Sequence, residues 1–220
     1  KNTGLVTADP FGSYRVRFER TDRDYLTMEE ITTIYNHEFS SKRLEQVRDL
    51  FIFSCYTALS YIDVCELRQE DIRTGFDGNL WIVRKRHKTN VTATVRLLDI
   101  PKAILEKYKD KLPNGKILPV ISNQKMNDYL KELGELAEIN EPIRETYYKG
   151  NERIDEVTPK YALLSTHAGR RTFICNALAL GIPAQVVMKW TGHSDYKAMK
   201  PYIDIADDIK ANAMNKFNQL

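Results

Sequence analysis

The hydrophobic period of this 220-residue chain changes once and then changes back, and that reversal limits the fold more than any other feature. Leu44, Val47, Leu50, Phe51, Phe53, Ser54 and Thr57 recur at helical spacing until about Leu59. Two short β-like runs follow, Leu80-Trp81-Ile82-Val83 and Ala93-Thr94-Val95-Arg96-Leu97-Leu98. Between them lies the basic stretch Arg84-Lys85-Arg86-His87-Lys88-Thr89-Asn90. The pattern predicts a small antiparallel sheet with a cationic turn at one end. Helical spacing then resumes, so the fold class is mainly α with a small antiparallel β-sheet, an α+β arrangement.

The punctuation fixes the element boundaries. Residues 1–26 hold Gly4, Pro10 and Gly12 with little periodicity and read as a linker or arm, leaving 27–220 as one domain. Thr27-Met28-Glu29-Glu30 is a capping box that opens a short helix to about Tyr35. Asp63 to Leu67 reads as a further short helix with Asp63 as its cap. Pro101 suits the first turn of a helix to about Leu112, and Ser122 caps another to about Ala137. The polar segment from Asn140 to Lys160 is expected to be a long surface loop. A helix from Thr166 to Leu180 stops at Gly181, Pro183 restarts one, and Gly192 ends it. A short helix after Asp195 leads to an amphipathic tail, Ile203 to Phe217, with Ile205, Ile209, Ala213 and Phe217 on one face.

Composition excludes several classes. No apolar run approaches the ~20 residues that span a bilayer, and the start lacks the apolar core of a signal peptide. Three cysteines, Cys55, Cys65 and Cys175, lack metal-like spacing and sit in apolar contexts, as reduced core thiols of a cytoplasmic protein do. The net charge of +3 is slight, but its distribution is uneven. From Arg84 to Lys116 there are ten Lys or Arg against three acidic residues, whereas Glu132 to Glu156 is acid-rich. A segregated basic patch of this kind suits a polyanion.

Chemistry concentrates in the last third. Ser165-Thr166-His167-Ala168-Gly169-Arg170-Arg171-Thr172-Phe173 is followed by Thr191-Gly192-His193 and then Tyr202. On a helix, His167 and Arg170 project from one face. The arginine fork can grip two phosphate oxygens while a histidine moves a proton. Tyr202 offers a nucleophilic oxygen if cations or a base assist it. Lys88, at the tip of the basic hairpin, adds a further cation. Together these groups suit phosphoryl transfer.

The same residues resemble the catalytic domain of the tyrosine recombinases, the phage-integrase family, over roughly residues 20–215, and within it the integrases of conjugative transposons and related mobile elements. His167 to Phe173 resembles the family's His-x-x-Arg box; Gly181, Val186-Val187 and Gly192-His193 resemble the approach to its second histidine. Tyr202 stands at the nucleophile's spacing, and Lys88-Thr89 matches the hairpin lysine. The resemblance implies a site-specific recombinase that cleaves and rejoins DNA through a 3′-phosphotyrosyl intermediate at Tyr202. It implies that Arg170, His167 and His193 stabilise the transition state and that Lys88 protonates the leaving 5′ oxygen. No cofactor and no metal are expected. Lys85, Arg86 and Arg171 are expected to hold backbone phosphates of double-stranded DNA. The resemblance further implies a homotetramer on DNA joined through the tail, accessory DNA-bending proteins, and a separate N-terminal core-binding domain outside this chain, in line with a start that is not Met.

One position departs from the family. In Thr57-Ala58-Leu59-Ser60-Tyr61-Ile62-Asp63, Ser60 stands where the first catalytic arginine belongs. Another cation then fills the gap, Arg86 first and Arg68 second, or the chain is an impaired, DNA-binding regulator. A type IB topoisomerase shares the chemistry but keeps that arginine.

Overall fold

The computed structural model describes residues 25–206, apart from 89, 114, 150 and 151. Helices α1 (Met28–Asn36), α2 (Lys42–Thr57) and α3 (Tyr61–Cys65) precede strands β1 (Ile72–Thr74), β2 (Leu80–Lys85) and β3 (Thr92–Arg96). Next come α4 (Asp99–Tyr108), α5 (Asn123–Leu136) and the strands β4 (Pro142–Lys149) and β5 (Glu152–Pro159). Helices α6 (Thr166–Ala179) and α7 (Ala184–Thr191) follow, and a last helix runs from residue 200 to 206. The expected mainly α architecture with small antiparallel sheets is what the chain adopts.

Helix α2 organises the molecule. Phe51, Ile52 and Phe53 are consecutive and all fully buried, which one face of a helix cannot achieve. A helix apolar on all sides must be surrounded, and α2 packs against α1, α4, α5 and α6. Each such side chain removed from water contributes about 1.5–3 kcal/mol. The capping box at α1 forms as expected: the Glu30 amide donates to Thr27 Oγ1 at 3.2 Å, and the Thr27 amide donates to Glu30 Oε2 at 2.7 Å.

Close packing of α6 on α2 sets up the site. A Cβ at Gly169 would lie 3.0 Å from Ser54 Cβ, so only glycine allows this approach without a shift. Arg170, the next residue, is thereby carried to the end of α2, where Ala58 turns left-handed at φ 55°. The other side of α6 contributes Ile174, Ala177 and Leu178 to a second, smaller core with Val187, Met199 and Ala206. Strands β1, β2 and β3 form one antiparallel sheet, with Ile82 opposite Val95 and Lys85 opposite Thr92.

Several expectations are corrected. The segment from Asn140 to Lys160 is not a loop: β4 and β5 pair from Pro142↔Pro159 to Lys149↔Glu152. Its signal was hidden because β5 is largely exposed on both faces, Val157 included, so no apolar alternation marks it. Lys160 anchors the hairpin, buried and 2.9 Å from both Glu30 and Glu141. Asp63 does not cap α3; Ser60 does, accepting from the Asp63 amide. Strand β1 was not anticipated, being three residues long. Leu26, assigned to the arm, is buried, donates its amide to Thr172 Oγ1 at 3.0 Å and accepts from Asn176 Nδ2 at 2.8 Å. The domain therefore includes it. The tail beyond residue 206 lies outside the described residues. Cys55 and Cys175 are buried, Cys65 is half-buried, and all three are free thiols. No helix among the described residues is long and apolar enough to cross a membrane.

Candidate active site

An open cleft of about 530 Å³ is lined by Ser60, Arg86, Lys88, Asn123, His167, Arg170, His193 and Tyr202, among others. It brings together Lys88, His167, Arg170, His193 and Tyr202, with Arg86, the first choice for the compensating cation. Lys88 is exposed in the β2–β3 turn, which is closed by Arg86 N–H to Val91 O and Asn90 N–H to Arg86 O, both 2.9 Å. His167 and Arg170 sit one turn apart at the start of α6. His193 follows Gly192, whose φ of 63° redirects the chain at the end of α7. Tyr202 belongs to the helix at residues 200–206, and packs with Ile203 on the second core of its own chain.

Two guanidinium groups converge on one backbone oxygen. Thr191 O accepts from Arg170 Nη2 at 2.8 Å and from Arg86 Nη1 at 2.7 Å. Arg170 also donates to Ala58 O at 2.6 Å, at the negative end of α2. Arg86 Nε donates to Asp63 Oδ2 at 3.2 Å, and the same oxygen accepts from Ser60 Oγ at 2.5 Å. The other Asp63 oxygen accepts from the His87 amide at 3.0 Å, fixing the hairpin turn that carries Lys88. Ser60 and Arg86 thus meet on one carboxylate oxygen. Gly192 is required here: a Cβ would lie 2.7 Å from Arg86 Cδ.

The remaining nominees lie apart. Arg68 bridges to Lys116 through the backbone and does not line the cleft. Lys85 is exposed at the end of β2, outside the lining. Arg171 is only 9% exposed and also outside the described lining.

The cleft's electrostatics follow from burial beside cations. None of its described lining residues is acidic, which favours an anionic occupant. Burial, then repulsion from Arg86, lowers the affinity of Arg170 for its proton, with Tyr202 and Asp63 opposing; a guanidinium stays charged at neutral pH regardless. Burial first, then Arg170, Arg86 and His167, push the His193 imidazole down to about 4, so its ring is neutral at pH 7. Burial works against ionisation of Asp63, but the hydrogen bonds from Ser60 and the His87 amide and the charge of Arg86 win, and hold its carboxyl below the usual range.

Sequence reading missed Asp63 as the link to Arg86, Thr191 as the shared acceptor, and Asn123 on the cleft wall. The first had a legible signal, since a serine three residues before an aspartate at a helix start is a capping pattern. Thr191 acts through its carbonyl, which no side-chain motif reports.

Solved structures share this arrangement of elements. A lambda integrase dimer bound to a COC′ core site matches with TM-score 0.65 and 19% identity, over 92% of this chain and 66% of that one. XerA recombinase matches at 0.60 and 15%, over 88% and 65%. The Tn1549 transposon integrase, in complex with circular intermediate DNA, matches at 0.54 and 13%, over 85% and 62%. The chain has the tyrosine recombinase catalytic fold. It spans less than two thirds of the length of these three recombinase structures, but 96% of the lambda integrase catalytic core, at TM-score 0.53 and 18% identity. No protein-family model and no curated protein sequence matches it.

Proposed function

We propose that this chain is the catalytic domain of a site-specific DNA recombinase or integrase of a mobile element, acting on double-stranded DNA through a 3′-phosphotyrosyl intermediate. The observation that supports it best is the cleft itself: Tyr202, Arg170, His167, His193, Lys88 and Arg86 line one space with no acidic residue among its described lining, and the tyrosine is supplied by the same chain. Tyr202 Oη attacks the phosphorus and the 5′ oxygen leaves with a proton from Lys88. Arg170 and Arg86 oppose the charge that builds on the non-bridging oxygens, each such donor being worth about 3–4 kcal/mol. Arg86 stands in for the arginine absent at Ser60, since both residues share Asp63 Oδ2. The phosphotyrosyl bond conserves the energy for rejoining, so no nucleotide is consumed. Lys85, exposed beside the turn, holds a neighbouring backbone phosphate. The working form is a DNA-bound homotetramer joined through the C-terminal tail, with bending proteins as accessories.

The test is a suicide duplex nicked beside the crossover site. The wild-type chain should accumulate a covalent adduct, and Tyr202→Phe should bind the duplex without forming one. A chain that retards the duplex yet never forms the adduct would be a DNA-binding regulator, the reading that Ser60 alone favours.

A further inference from the structure

We propose that Asn127 is a positioning residue for His167: reaching across from α5, it caps the first amide of α6 and so fixes the turn that presents His167 to the cleft. Its bearing on cleavage rests on the recombinase reading; the cap stands on geometry.

The first turn of α6 lacks a cap of its own. A helix begins with backbone N–H groups that have no partner within it, and a serine at the N-cap ordinarily accepts from one of them. Ser165 stands at that position, but its side chain makes no capping bond. The amide of Thr166, first residue of the helix, donates instead to Asn127 Oδ1 at 2.9 Å. A backbone N–H only donates, so the atom that faces it is the amide oxygen of Asn127. One turn earlier on the same face of α5, Asn123 lies 2.9 Å from the Thr166 hydroxyl. Two side chains of one helix thus grip the residue that precedes His167.

Helix ends fray, and a loose first turn is a poor platform for a catalytic group. Arg170 has anchors of its own on Ala58 O and Thr191 O, at 2.6 and 2.8 Å. His167 is exposed and lies one turn before those anchors, so its place in the cleft depends on the backbone beneath it. The support that α5 offers is firm. Met126, Leu130 and Leu133 are buried along it, and at its far end a Cβ on Gly134 would lie 2.6 Å from Leu164 Cδ1 and 2.9 Å from Tyr161 Cβ. Asn127 is half-buried and outside the described lining of the cleft, so it acts through His167 and not on the DNA.

The test is single-turnover cleavage of the suicide duplex, at saturating DNA, by the full 220-residue chain in wild type, Asn127→Leu and Asn127→Asp. Leu is of similar size but offers no acceptor, and should slow adduct formation by roughly ten- to a hundredfold, the scale of a misplaced catalytic group, with DNA affinity in a gel shift unchanged. Asp keeps an acceptor in the same place and should recover most of the rate. In a His167→Ala background the Leu substitution should cost less than about twofold, because the group that it serves is gone. Wild-type cleavage by Asn127→Leu, no recovery in Asn127→Asp, or the full loss repeated in the His167→Ala background overturns the proposal. Asn127→Ala, which adds no bulk, takes the place of the Leu variant should that one melt early. Amide hydrogen exchange reads the cap separately: the Thr166 N–H should exchange faster in Leu and at the wild-type rate in Asp, and unchanged exchange in Leu would remove the cap itself. Should the wild type form no adduct, the role in cleavage falls with the recombinase reading, and the exchange rates still decide the cap.

Discussion

Replacing Gly192 by alanine should damage catalysis through a residue that it does not touch chemically. Two costs arise. The backbone φ of 63° is left-handed, which charges any residue with a Cβ about 1–2 kcal/mol. For a chain of this size that lowers Tm by roughly 2–8 °C. The second cost is steric. The new Cβ would lie 2.7 Å from Arg86 Cδ and 3.0 Å from Cγ, so Cδ must retreat by about 0.7 Å to reach the 3.4 Å of ordinary contact. Arg86 cannot do so freely, because Thr191 O holds its Nη1 at 2.7 Å and Asp63 its Nε at 3.2 Å. Losing one such charge-assisted bond costs about 1.5–3 kcal/mol. If that loss is felt in the transition state, cleavage slows by roughly ten- to a hundredfold. Gly181→Ala is the control: its φ is 84°, but a Cβ there meets nothing within 4 Å. Both variants should lose Tm in a thermal melt, Gly192→Ala the more because of the clash with Arg86, and only Gly192→Ala should lose adduct formation on the suicide duplex. Wild-type cleavage by Gly192→Ala, or equal losses in both variants, would show that Arg86 is not held as described or is not used.

Two further outcomes are expected. Arg86→Ala should depress cleavage by a hundred- to a thousandfold, roughly the worth of one transition-state donor, while DNA affinity in a gel shift changes far less; equal losses in both would reduce Arg86 to a phosphate clamp. The neutral ring of His193 carries a pH signature as well. Its folded value of about 4 lies below the ordinary 6.5, so the unfolded chain takes up the proton first. Stability should therefore fall as pH drops from about 6.5 to 4, and the slope of Tm against pH in that window should be shallower in His193→Gln. Identical slopes in the two proteins would contradict the assignment.

The parts legible in the sequence were those in which periodicity or capping chemistry acts locally. The Thr27 box, the Ser122 cap and the left-handed Gly192 all stand where the residues placed them. The catalytic nominees were legible because their residue types and spacings are restrictive jointly. What escaped was non-local or exposed. The hairpin of β4 and β5 lacks an apolar stripe because water covers both faces of β5, and nothing in Asn140 to Lys160 distinguishes that from a loop. The burial of Arg171 depends on how α6 packs, which its own neighbours do not encode. Arg86 was nominated from its nearness to Lys88 along the chain, but its partnership with Ser60 passes through Asp63, a residue read only as a cap.

The oxygen on which both guanidinium groups rest is part of the main chain at Thr191. No codon change can delete it. An acceptor of that kind does not specify which segment must send it a cation, only that one must arrive with the right reach. Here two cations do so, one from the β2–β3 turn and one from α6, so either element can bring positive charge to the same point in the cleft.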